Sequence, residues 1–280
     1  MGVETLLEKK FWETRKQHRE NIIAALNEFI SGPTREGLIK LASEIWALRF
    51  TYSDIGWYVD ARVLKYMALE ELAKAFALLI DESVPISERL KVKIPGFGSG
   101  AVSEILFSVD PNKYPIYNKK FVVGAKALGY EIGELEHVIR LTPGILEKLR
   151  NVHERILHDF SKLWDHVRRE VGMEIPKFDF TDALLWKVAQ EEILVSDLLP
   201  WREKPSVPNE EEIMEIMGIL GKGVEKYLEL VNKGENRERA IEKVTFYVEG
   251  MIEARGIGRN VGEVIKALND LVSNILEVLY

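Results

Sequence analysis

The sequence predicts an all-α, multi-helical protein in two parts, and three observations carry that expectation. Apolar residues recur three and four positions apart in nearly every long segment. No stretch sustains the alternation of a half-buried strand. The interruptions fall where Gly, Pro or a capping side chain would stop or start a helix.

Residues 4–30 carry Leu6, Phe11, Ile22, Ile23, Leu26 and Phe29 among charges, which predicts one long amphipathic helix. Ser31 and Gly32 end it, and Pro33 is expected at the first position of the next helix, with Leu38, Leu41, Ile45 and Leu48 on one face. Residues 50–60 are aromatic and irregular. Leu64, Met67, Ala68, Leu72, Ala75 and Leu79 predict a continuous helix over Val63–Ile80. A short helix over Ile86–Val92 leads into a glycine turn, and Ser99–Ser108 leaves it. Asp110, Pro111 and Asn112 form a turn, and a helix over Asn118–Leu128 is stopped by Gly129. Thr142 caps a helix with Pro143 in its first turn, expected to reach about Val171, and a shorter helix spans Thr181–Glu191.

Pro200, Pro205 and Pro208 mark residues 199–208 as a linker, since proline blocks both helix interiors and sheet ladders. Residues 1–198 are therefore expected to form one helical domain. Asn209 with Glu212 starts a C-terminal module of three helices over residues 209–280, with breaks near Gly234 and over Arg255–Gly258.

Composition excludes several classes of chemistry. There is no cysteine, so disulfides, thiolate nucleophiles and cysteine-ligated metals are out. The N-terminus soon becomes charged, and no apolar run approaches the roughly 20 residues that span a bilayer. The expectation is a cytoplasmic protein with no membrane segment. Abundant Lys and Glu without Cys are compatible with a thermophilic source. A net charge of −7 argues against DNA binding over the whole surface. Between Ile86 and Tyr130, however, seven bases (Arg89, Lys91, Lys93, Lys113, Lys119, Lys120, Lys126) face only Glu88, Glu104 and Asp110.

Within that basic segment lies Ile94, Pro95, Gly96, Phe97, Gly98, Ser99, Gly100, Ala101, followed by Ile105 and Leu106. Glycines in such a turn permit positive φ and close approach of the backbone, and main-chain N–H groups at a helix start can hold an anion. The pattern resembles the helix-hairpin-helix element of DNA-binding proteins, most of all the helix-hairpin-helix DNA glycosylase superfamily. The likeness continues through Pro115, Ile116, Tyr117, Asn118, Lys119 and Lys120 to Leu128, Gly129 and Tyr130. The resemblance implies a glycosylase-like helical core and phosphate contacts that ignore base sequence, made by Gly96, Gly98, Ser99 and Gly100 and aided by Lys119 and Lys120. A monovalent cation at the hairpin is the one cofactor it implies. The family's chemistry is not retained. Its lyase lysine position is Gly100 here, and its catalytic aspartate position falls on Asn118, which cannot ionise. Tyr117 and Asn118 are left as a candidate base pocket. A fainter second hairpin lies at Gly256, Gly258 and Arg259.

Trp46, Trp57, Tyr58, Tyr66, Tyr114 and Tyr117 could supply a stacking pocket for a nucleobase, although aromatics at helical spacing more often form core. The remaining groupings read as ordinary structure. His153 and His158 are five apart, about 140° out of register on a helix, whereas a shared metal needs a spacing of four. Glu210–Glu212 complements a helix dipole. No Walker loop or serine nucleophile elbow occurs.

The leading expectation is a non-catalytic, sequence-independent DNA-binding protein, an accessory in repair or restriction, without metal. One alternative is a divergent glycosylase or base-processing enzyme using Lys93, Tyr117 or Asn118 in altered roles. The other is a helical scaffold that self-associates or docks a protein partner through the apolar seam of Val261–Leu279.

Overall fold

The computed structural model describes residues 2–203, 210–236, 239–241, 243–245 and 247–248. The fold is all-α, with no strand among the described residues. The chain divides into two compact units, Met1–Glu203 and Lys204–Tyr280.

The first unit opens with a 3-10 turn at Val3–Leu6, and then α1 runs over Lys9–Ser31. Thr34, not Pro33, caps α2 (Arg35–Glu44), its side chain accepting from Gly37 N, so Pro33 stands just outside the helix. Two one-turn helices follow, α3 at Trp46–Arg49 and α4 at Ile55–Tyr58.

The expected continuous helix over Val63–Ile80 is broken. Val59–Leu64 is a π turn, with Lys65 N bonded to Asp60 O at 3.2 Å, and α5 starts only at Leu69 and ends at Ile80. The wider turn puts Val59 and Val63 in the core and leaves Tyr66 at the surface.

Helix α6 is the single turn Ile86–Arg89, shorter than expected, and α7 runs over Ser99–Val109. Helix α8 spans Lys119–Ala127 with Asn118 as its cap. It ends as expected at Gly129, whose φ is +84°, with Tyr130 N bonded to Ala125 O. The helix expected from Thr142 to Val171 is two helices, α9 (Pro143–Asp159) and α10 (Ser161–Val171), joined at the buried Phe160. Helix α11 starts earlier than expected and covers Lys177–Ala189, and α12 is the turn Val195–Leu198.

Two apolar cores lie inside this unit. The first gathers Leu26 and Phe29 of α1, Leu41 of α2, Phe76 of α5 and Ile105 of α7. The second gathers Phe121 of α8, Leu149 and Ile156 of α9, Leu163 of α10 and Leu184 of α11, with Trp12 at the other end of α1. Helix α1 thus belongs to both.

Helices α8 and α11 pack backbone against backbone at Gly124, where an added Cβ would stand 2.4 Å from the Leu185 carbonyl oxygen. Backbone cannot yield as a flexible side chain can. Gly124→Ala is therefore expected to cost at least about 1–3 kcal/mol, read as a lower urea midpoint.

In the second unit α13 covers Glu210–Asn232 and buries Ile219 and Tyr227 against Ala240, Val244 and Val248. Gly234, with φ +84°, closes the helix as expected, and Glu235 N bonds to Leu230 O. The second hairpin (Gly256, Gly258, Arg259) and the Val261–Leu279 seam lie outside the described residues.

Candidate nucleic-acid interface

The glycine elbow is a tight turn standing on the first core. Phe97 N bonds to Ile94 O at 3.1 Å, with Pro95 second and Gly96 (φ +77°) third, the residue pattern of a type II turn. Ile94 and Phe97 point inward, and Phe97 meets Phe76 edge-on with ring centroids 5.0 Å apart. Gly96 also has no room for a side chain: an added Cβ would lie 2.8 Å from Val63 Cγ2 and 3.0 Å from Tyr58 Oη. The Tyr58 hydroxyl donates to the Gly96 carbonyl. Burial, helped by the neighbouring Tyr52, pushes that hydroxyl up to about 12, so it stays a donor.

The two glycines differ in what the fold asks of them. Gly98 has φ −72° and ψ −174°, which any residue can adopt, and an added Cβ would meet nothing within 4 Å. It is the cap of α7, yet it has no side chain to satisfy that helix's first amides. Gly96 and Gly98 are both exposed. Ser99 is turned inward, its hydroxyl donating to Val138 O at 2.7 Å. Gly100 is half-buried, 3.4 Å from Ala47 Cβ when a Cβ is added.

The basic segment is less basic than its composition. Arg89 is buried and donates to Leu79 O and the Tyr114 hydroxyl. Lys91 pairs with Glu88, Lys113 with Glu82 and Lys126 with Glu136. Among the described residues, Lys93, Lys119 and Lys120 of this segment have no acidic partner. Two arginines from elsewhere in the chain have contacts in or just before the elbow. Arg62 contributes its carbonyl to the seat of Gly96, and Arg140 bonds through Nη2 to the carbonyls of Leu90 and Lys91.

Tyr117 and Asn118 are committed to the fold. The Tyr117 hydroxyl accepts from Val138 N, and its backbone is tied to Ser103. Asn118 Oδ1 accepts from Phe121 N at 2.7 Å and caps α8, while Nδ2 donates to Asp182 Oδ1 at 3.1 Å. An aspartate could do the first of these but not the second.

Asp182 belongs to a buried charge cluster that the sequence reading missed. Arg15 donates through Nε to Asp179 (2.6 Å) and through Nη2 to Asp182 (2.6 Å), and Arg19 also binds Asp179. The two carboxylates are only 2% exposed. Burial opposes the charge on Arg15, but Asp179 and Asp182 outweigh it and hold the guanidinium above its ordinary value. The Asp182 carboxyl is pushed up by burial, with Arg15 opposing. Two cations balance two anions, so a third carboxylate at position 118 would be uncompensated. The available signal was spacing: Arg15 and Arg19 four apart, Asp179 and Asp182 three apart within an apolar run.

A second polar knot fixes α3. Glu104 accepts from the amides of Trp46 and Ala47 and lies 2.9 Å from His18 Nε2, and the His18 ring stacks on Trp46. The histidines at 153 and 158 do not meet. His153 lies in the core, stacked on Phe121, and His158 sits beside Asp159 at the surface. Among the described residues no group of three or more His, Asp or Glu is placed to hold a metal. No helix among them is long and apolar enough to cross a membrane.

Comparison with known proteins found no matching family model, no matching curated protein and no matching solved structure.

Proposed function

We propose that the chain binds DNA without base specificity, gripping a backbone phosphate with the main-chain amides that follow Gly98. The observation that carries this reading is the exposed elbow. Its apolar residues are anchored below, its α7 amides have no side-chain cap, and the space in front of Gly98 is open. Lys93, Arg62 and Arg140 are suited to surround such a phosphate, with Lys119 and Lys120 as further contacts. The proposed grip uses amide donors, and a monovalent cation at the hairpin is not needed for it. The absence of a free ionisable group at 118, and of a lysine at 100, favours binding without catalysis.

Gly98→Asp separates grip from fold. Aspartate is a better helix cap than glycine by a few tenths of a kcal/mol, so the melting temperature should hold or rise. The same carboxylate would stand where the phosphate is expected, and affinity should fall at least about tenfold. The measurement is fluorescence anisotropy with duplex, nicked and abasic DNA across a salt series. Absence of binding to all three at low salt would sink the proposal.

A further inference from the structure

Among the exposed apolar side chains of the first unit are three aromatic rings, each close in the chain to a residue that contacts the elbow. Phe50 is 70% exposed, Trp57 55% and Tyr66 62%. Each is tied by chain geometry to a residue that touches a hairpin glycine. Trp57 precedes Tyr58, whose hydroxyl bonds to Gly96 O, so their Cα atoms are about 4 Å apart. Tyr66 follows Val63, which packs on Gly96, by about one turn, and its N–H bonds back to Val63 O at 3.0 Å. Phe50 follows Ala47, the neighbour of Gly100, by a similar step. Cations alternate with these rings. Arg49, Arg62 and Lys65 have no acidic partner among the described residues, and Lys65 Nζ stands 5.6 Å from the centre of the Tyr66 ring. The nearby acids are occupied: Asp54 accepts from Trp57 N and Asp60 is paired with Arg35.

We propose that Phe50, Trp57 and Tyr66, with Arg49, Arg62 and Lys65, form a stacking platform for unpaired bases, so that the preferred ligand is single-stranded DNA. This inference rests on the phosphate grip proposed above and assigns its ligand class. In intact duplex the base faces are hidden in the stack, whereas a single strand offers them to aromatic side chains while its phosphates meet the interleaved cations. The hairpin takes one phosphate of the strand, and the platform takes bases beside it.

The test is anisotropy with a labelled oligodeoxythymidine strand and a blunt duplex of the same length, using the full chain. The single strand should bind more tightly. Trp57→Ala and Tyr66→Ala should each weaken single-strand binding about tenfold and leave duplex binding unchanged, while Trp57→Phe and Tyr66→Phe retain it. Phe50→Ala is an independent third variant, and a melting curve for each verifies the fold. Equal affinity for strand and duplex, with no loss in the alanine variants, overturns the platform. If Gly98→Asp then still weakens binding at least about tenfold, the grip survives without it. If instead the alanine variants lose the single strand while Gly98→Asp binds normally, the grip falls and the platform stands. Failure of both DNAs to bind removes both.

Discussion

Replacing Arg15 with alanine is expected to cost the first unit about 3–5 kcal/mol, the range for orphaning a buried ion partner. The two aspartates it neutralises would be left with Arg19 alone, in a site with almost no water access. For a unit of this size each kcal/mol moves the melting temperature by roughly 2–4 °C, so a fall of roughly 6–20 °C should be seen by calorimetry. The double change Arg15→Met with Asp182→Leu should be milder than Arg15→Ala, because a charge removed with its counter-charge leaves less uncompensated. A single variant as stable as the parent would show that the cluster contributes nothing to the fold.

Acidification should act through His153. Its ring is fully buried between Phe121 and Phe178, with Nδ1 2.7 Å from Thr181 Oγ1 and Nε2 without a hydrogen-bond partner among the described residues. Burial lowers its pKa to about 3. The unfolded chain, with an ordinary histidine near 6.5, takes up a proton that the folded chain refuses. Stability from this group is therefore complete above about pH 6.5 and is lost as pH falls toward 3, by up to about 1.4 kcal/mol per unit. Between pH 6.5 and 5 the loss should be about 2 kcal/mol, visible as a falling urea midpoint. His153→Gln lowers stability at pH 7 but should flatten that slope. An unchanged slope in the variant would assign the acid sensitivity to other groups.

Periodicity made the helical class legible, and the Pro95–Gly96–Gly98 pattern located the elbow, because both are local properties of the chain. What escaped were departures imposed from a distance. The helix read across Val63 is broken by a π turn whose Val63 seats Gly96, a residue more than thirty positions away. Helix α11 begins four residues before the expected Thr181, and its added first turn carries Asp179, which Arg15 and Arg19 hold from more than a hundred residues away. The basic segment looked strongly positive because composition cannot reveal that Arg89 is buried or that Lys113 and Lys126 are paired. Asn118 stood out for what it lacks, an ionisable oxygen. Its work as cap and donor needed Asp182, which lies 64 residues further on.

The passage of α1 through both cores has a consequence for how the chain is made. The arginines of this helix are made well before their partners Asp179 and Asp182, which lie 160 or more residues further along the chain. Until then the nascent segment carries unburied apolar side chains such as Trp12, Leu26 and Phe29 and unmatched guanidinium groups. Such long-range closure slows folding, since chain entropy is lost before any contact repays it. The first unit should thus mature as a whole, only once α11 has been made, rather than in successive halves.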